Sequence, residues 1–149
     1  MRETISEALT KAQDEGDKTR ISILRLIKAA VKDRDVANRE AGRDPVDADD
    51  ILNILVTMRR QRIESAQNYE ENGRLELAEQ ERQEIKVIED FLPAQLDDSA
   101  MHQACRSAVD DIDAKGLRDV GRCMNKLKQR YPGQMDFTKA STVVKGMLR

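Results

Sequence analysis

The sequence predicts an all-α fold: an N-terminal four-helix domain with a long helical hairpin over residues 1–94, followed by a small C-terminal three-helix bundle over residues 95–149. Three observations predict it. Charged residues make up 36% of the chain, and Ala, Leu, Glu, Arg and Lys, which lose least on entering a helix, are abundant. Aromatic residues are 3% and Trp is absent, so the side chains that favour sheets are scarce. Apolar residues recur at steps of three and four, the period of a helix buried on one side.

Each element has its own signal. Ile5, Ala8, Leu9 and Ala12 share one side of residues 2–15; Gly16 ends this helix and Asp17 can cap the next. The second helix runs from Lys18 to about Ala41. Its centre, ISILRLIKAAV, carries two apolar stripes, Ile21/Leu24/Ile27/Val31 and Ile23/Leu26/Ala30. Two stripes predict a central helix packed on more than one neighbour, with Arg25, Lys28 and Lys32 on the remaining face. Residues 42–49 form a loop by their Gly, Pro and Asp content. Asp47, Asp49 and Asp50 then complement the N-terminal dipole of a third helix, from about 49 to 69. Asn72-Gly73 breaks it, and a fourth helix covers residues 74–91.

The third and fourth helices should form an antiparallel hairpin. A symmetric turn at Gly73 sets Ile51 against Leu92, Leu55 against Ile88, Met58 against Ile85 and Ala66 against Leu77. The one polar layer sets Arg62 against Glu81, read as a structural, semi-buried ion pair that fixes register rather than adding stability. Pro93 disfavours helical geometry at Leu92 and marks the domain boundary, where the charge balance also changes. Beyond it, Asp97, Asp98 or Ser99 caps a helix to about Ile112 whose narrow face is Ala100, Ala104, Ala108 and Ile112. A turn at 114–116 leads to a basic helix ended by Pro132-Gly133. The last helix starts at Asp136 or Thr138 and turns Val143, Val144, Met147 and Leu148 inward.

The basic helix carries the functional reading. Over residues 115–131, Leu117, Val120, Met124, Leu127 and Tyr131 form an apolar seam, while Arg118, Arg122, Lys126 and Arg130 recur every fourth residue on the far side. Only Asp119 interrupts the cations, whereas an ordinary surface helix mixes signs. The net charge of −2 conceals an asymmetry: residues 1–92 hold 16 Lys and Arg against 21 Asp and Glu, residues 93–149 hold 10 against 7, and residues 115–149 hold 9 against 2. Lys115, Lys128, Lys139 and Lys145 would support the row electrostatically. Cations about 6 Å apart along a helix can follow a phosphate backbone. Only Tyr131 and Phe137 could stack on a base, so recognition of folded RNA by shape and charge is expected. Gly121, beside Arg122, is read as a position that packs closely on a neighbour.

Catalytic hardware is not apparent. The sole histidine, His102, has no neighbouring ligand set in its helix, and Cys105 and Cys123 have neither a close pairing nor a zinc spacing. There is no Gly-rich phosphate loop and no HExxH. No catalytic residue, metal or cofactor is assigned. Two lone cysteines, a polar amphipathic N-terminus and no apolar run near the ~20 residues of a membrane span lead us to expect a cytoplasmic protein with reduced, buried thiols.

Residues 20–32 (RISILRLIKAAVK), 61–69 (QRIESAQNY), 73–84 (GRLELAEQERQE), 91–96 (FLPAQL) and 117–124 (LRDVGRCM) resemble the GatB/YqeY family. FLPAQL followed by DVGRCM discriminates best; the family's usual Asp-Met-Gly-Lys-x-Met is altered at Val120 and Arg122 with apolar packing and positive charge kept. The resemblance is to a free-standing YqeY-like protein. It implies an all-helical chain similar to the tail of the B subunit of the glutamine-dependent amidotransferase that corrects mischarged tRNA, a tail that contacts the tRNA body. It carries, by association only, a carbon–nitrogen ligase activity with glutamine as amido donor, whose catalytic cradle has no counterpart here. Two readings follow: a module binding tRNA or another structured RNA, or a module docking on a protein such as an amidotransferase or aminoacyl-tRNA synthetase through the hairpin or the Arg25/Lys28/Lys32 face.

Overall fold

In the computed structural model, which describes residues 1–149, four of the seven α-helices begin on an aspartate that accepts a backbone N–H: Asp17 from Arg20, Asp47 from Asp50, Asp97 from Ala100 and Asp136 from Thr138. Each cap satisfies a donor the helix cannot bond internally. At Asp47 the Asp50 carboxylate also returns to the Asp47 N–H, closing a capping box. The helices are α1 (Arg2–Glu15), α2 (Lys18–Glu40), α3 (Ala48–Glu71), α4 (Leu75–Glu89), α5 (Asp98–Asp111), α6 (Val120–Arg130) and α7 (Phe137–Leu148), with a single 3-10 turn, Leu117–Asp119, ahead of α6. Gly16 ends α1 in the left-handed conformation, φ 69°, where a Cβ would be strained. No helix is long and apolar enough to cross a membrane.

The chain divides into two compact units, Met1–Leu92 and Pro93–Arg149. In the first, α2 packs on α1, α3 and α4, as its two stripes require. Ile5, Ile23, Leu24, Ile27, Leu55 and Ile88 form the centre of its core. One expected stripe residue is displaced: Leu26 is 49% exposed, because α2 has no neighbour on that flank. The loop before α3 is pinned to the start of α1. Arg2 holds Asp35 in a two-pronged ion pair, Nη1–Oδ2 2.7 Å and Nη2–Oδ1 2.8 Å. Arg2 also donates to the Val46 carbonyl, and the Val46 N–H donates to Asp35. Val46 is thereby buried among the core residues.

The α3–α4 hairpin forms, but its polar layer differs from the expected one. Arg62 pairs with Glu84, Nε–Oε2 3.2 Å, not with Glu81. Helical side chains lean toward the N-terminus of their helix. Arg62 therefore reaches back a turn, where it also donates to the Met58 carbonyl, and arrives level with Glu84. Glu81 remains beside the pair: burial and the Glu84 carboxylate push it up, against the pull of Arg62. Nearer the tip, Ala66 is buried and so is Ala78, while Leu77, expected opposite Ala66, is 39% exposed.

In the second unit α5, α6 and α7 each touch the other two. Their core holds Cys105, Cys123, Leu127, Ala140 and Val144 at its centre, with Met101, Met124 and Met135 around them. Both thiols are free and buried, and burial pushes each up. The residues before α5 bind the α6–α7 connection: the Leu96 N–H donates to the Gln134 carbonyl (2.8 Å) and Gln95 Nε2 to the Gly133 carbonyl (2.6 Å).

The Arg2 ion pair, and secondarily the Val46 N–H, hold Asp35 down to about 2 from an ordinary 3.8. A carboxyl with a depressed native value contributes stability that is fully present above its unfolded value and lost as pH falls through the native one. The melting temperature should therefore fall between about pH 4 and pH 2, and Asp35→Asn should lower it at pH 7 while flattening that acid limb. Glu81 runs the other way. Glu81→Gln keeps a hydrogen-bonding group beside Glu84 without the charge, so it should raise the melting temperature at pH 7. That gain should vanish as pH falls below the ordinary 4.5, where the wild-type carboxyl, pushed up from that value, is already protonated; thermal scans across pH measure both.

Candidate nucleic-acid interface

The turn leading into α6 is organised by Asp119. Its carboxylate accepts the Lys115 N–H at 2.9 Å and Arg122 Nη1 at 3.3 Å, and these bonds, the backbone one above all, hold it below the usual carboxylate range. The 3-10 turn changes the expected seam. Leu117 is 54% exposed, and the buried face of α6 consists of Cys123, Met124 and Leu127, with Val120 and Tyr131 half-buried at its ends. Arg118 stands on the turn rather than on the helix.

The row of cations is not a straight ridge. A four-residue step turns about 400°, so each successive member lies about 40° further round the helix. The row winds from the outer side of α6 toward α5, and carboxylates meet it on the way. Arg122 pairs with Asp119, Arg130 pairs with Asp111 of α5, and Lys115 pairs with Asp113 at 2.9 Å. Asp119 is the one carboxylate the sequence sets among the cations; the structure adds Asp111 and Asp113, so three of the eight candidate residues are paired. Arg118 is exposed and Lys126 half-buried, both without an ion pair.

What the structure brings together is a different set. Between α6 and α7 lies a concavity of about 400 Å³, with Met124 and Phe137 as its apolar wall, Thr138, Ser141 and Thr142 as hydroxyls, and Lys128 and Lys145 at its sides. Both lysines are exposed and free of carboxylates. Thr142 Oγ1 donates to the Thr138 carbonyl at 3.3 Å, which leaves the Ser141 and Thr138 hydroxyls to donate outward. Lys139 is exposed and does not line the concavity. Sequence reasoning named both lysines and Phe137 but not the hydroxyls. Their signal was present: positions 138, 141, 142 and 145 follow the i, i+3, i+4, i+7 spacing of one helix face, here a polar one.

A family model described as Yqey-like protein matches residues 2–148. The chain belongs to the YqeY-like family. No curated protein matches it. Within this YqeY-like chain, His102 is exposed on α5, and no three His, Cys, Asp or Glu side chains converge as a metal site would require.

Gly121 does not have the close-packing role expected of it. It is exposed, and a Cβ there would meet nothing within 4 Å. Gly121→Ala should therefore stabilise the YqeY-like protein by about 0.5 kcal/mol, the lower part of the range for Gly replacement in an open helix. Thermal unfolding measures this, and a loss of stability would point to an approach at that position.

Proposed function

We propose that this YqeY-like protein is an accessory module that binds folded RNA, with tRNA as the species of choice, through its C-terminal unit. The observation that carries the reading is the α6–α7 concavity, where Lys128 and Lys145 stand uncompensated beside outward-facing hydroxyls. Two ammonium groups and two hydroxyl donors suit a phosphate with its sugar, and Phe137, half-buried in the wall, adds apolar surface for a neighbouring base. Arg118, Lys126 and Lys139 add to the field without lining the concavity. Lys115, Arg122 and Arg130, each held by an aspartate, contribute less because a phosphate must displace a carboxylate to reach them. The resemblance of the chain to the tail of an amidotransferase B subunit supports tRNA over other folded RNAs. The role assigned is binding, not amide formation.

Filter binding with deacylated tRNA tests the reading. With three or four phosphates engaged, log K should fall with log salt at a slope of about −3. Lys128→Glu/Lys145→Glu should weaken binding at least tenfold at low salt, and Arg122→Glu/Arg130→Glu, with the same change in net charge, by much less. A flat salt response, or equal binding by wild type and Lys128→Glu/Lys145→Glu, would overturn the proposal.

A further inference from the structure

The first unit is acidic in sum, yet the outer face of α2 is not. Lys18, Arg25, Lys28 and Lys32 are exposed along it and make no ion pair. They border two apolar depressions. One is lined by Ile21, Leu26 and Ala29, with Lys18 and Arg25 beside it. The other, about 310 Å³, has Ile5, Val31 and Ile51 as its floor and Lys28 and Lys32 beside it. Ala29 belongs to both, so the depressions are continuous. The only acid lining either one is Asp35, already committed to Arg2 and the Val46 N–H.

We infer that this face is a docking groove for an acidic amphipathic helix of a partner protein. The centres of the depressions are about seven residues apart on α2, roughly 10 Å, which is the interval between residues i and i+7 of a helix laid alongside. The occupant is thus a helix with two large apolar side chains seven residues apart, flanked by Asp or Glu facing the four cations. Charge complementarity selects the sign of the partner and the depressions select its kind. A half-exposed Leu26 beside Ile21 and Ala29 offers nothing to a phosphate backbone, but it can be covered by another aliphatic side chain. This inference does not depend on the RNA reading, which concerns the other unit.

The probe is an 18-residue helix-stabilised peptide with two leucines seven residues apart on a glutamate-rich helix, and a control with both leucines replaced by alanine. Fluorescence anisotropy with the full chain should show the leucine peptide binding at least tenfold more tightly than the control. Leu26→Asp and Lys28→Glu/Lys32→Glu should each weaken it at least tenfold. All three altered residues are exposed, and unchanged circular dichroism would show that the fold is retained. Equal binding of the two peptides, or no binding of either, overturns the groove. So does tRNA binding that Lys28→Glu/Lys32→Glu abolishes, which would make the face a nucleic-acid surface. Concentration-dependent self-association removed by Leu26→Asp would also overturn it, by showing a second copy as the occupant.

Discussion

The hydrogen bond from a backbone N–H to an aspartate carboxylate recurs through this molecule and governs both its architecture and its surface charge. It starts α2, α3, α5 and α7, and at Asp35 it holds the α2–α3 connection against the core. At Asp119 the same bond closes the turn before α6. Aspartate is short, so a carboxylate that accepts a backbone N–H sits close to the helix surface, and at two of these sites it holds a cation as well. Asp35 takes Arg2 and Asp119 takes Arg122. The cations available to a ligand are those that no carboxylate reaches, whether from a turn, as at Asp119, or from a neighbouring helix, as at Asp111, and these are set by helix geometry rather than by composition.

That constraint explains why counting charge along residues 115–149 locates the basic region but not which of its cations stand unpaired. A linear count treats Arg122 and Lys128 alike. On α6 they point to different flanks: Arg122 stands over the turn that Asp119 organises, while Lys128 faces the hydroxyl side of α7. Arg130 lies far enough round the helix to meet Asp111, a residue 19 positions earlier in the chain. A partner that distant has no local signature in the sequence.

Legibility followed the range of the interaction. A helix end set by adjacent residues, such as Gly16 with Asp17, could be read directly because the cap and its donor lie within three residues; before α3 the sequence shows the acidic start but not that Asp47 and Asp50 close a box. The packing of α2 on several helices was legible because apolar periodicity records how many faces are covered. The Arg62 partner was not, since a symmetric register places Cα atoms opposite one another and takes no account of the direction in which a long side chain leans. Leu117 was misread because a 3-10 turn and an α-helix share nearly the same spacing over three residues, so the seam extended one step too far. The hydroxyl stripe on α7 was written in the spacing, but polar periodicity is easily passed over when periodicity is used to find cores.

The two basic faces separate on chemistry rather than on charge. Ammonium groups attract any anion, so their number alone cannot distinguish nucleic acid from an acidic protein segment. The neighbours decide. Around Lys128 and Lys145 the surface offers hydroxyl donors, which can replace the water a phosphate gives up on binding. Around Lys18 and Arg25 it offers the half-exposed Leu26 and the half-buried Ile21, which gain only if aliphatic surface covers them. An RNA laid on the α2 face would lose hydration there without recovering hydrogen bonds. An acidic helix laid in the α6–α7 concavity would leave the Ser141 and Thr138 hydroxyls facing hydrocarbon. On the two proposals, the desolvation of its uncharged residues would set each face against the ligand proposed for the other, and the shared positive charge would serve only to bring either ligand near.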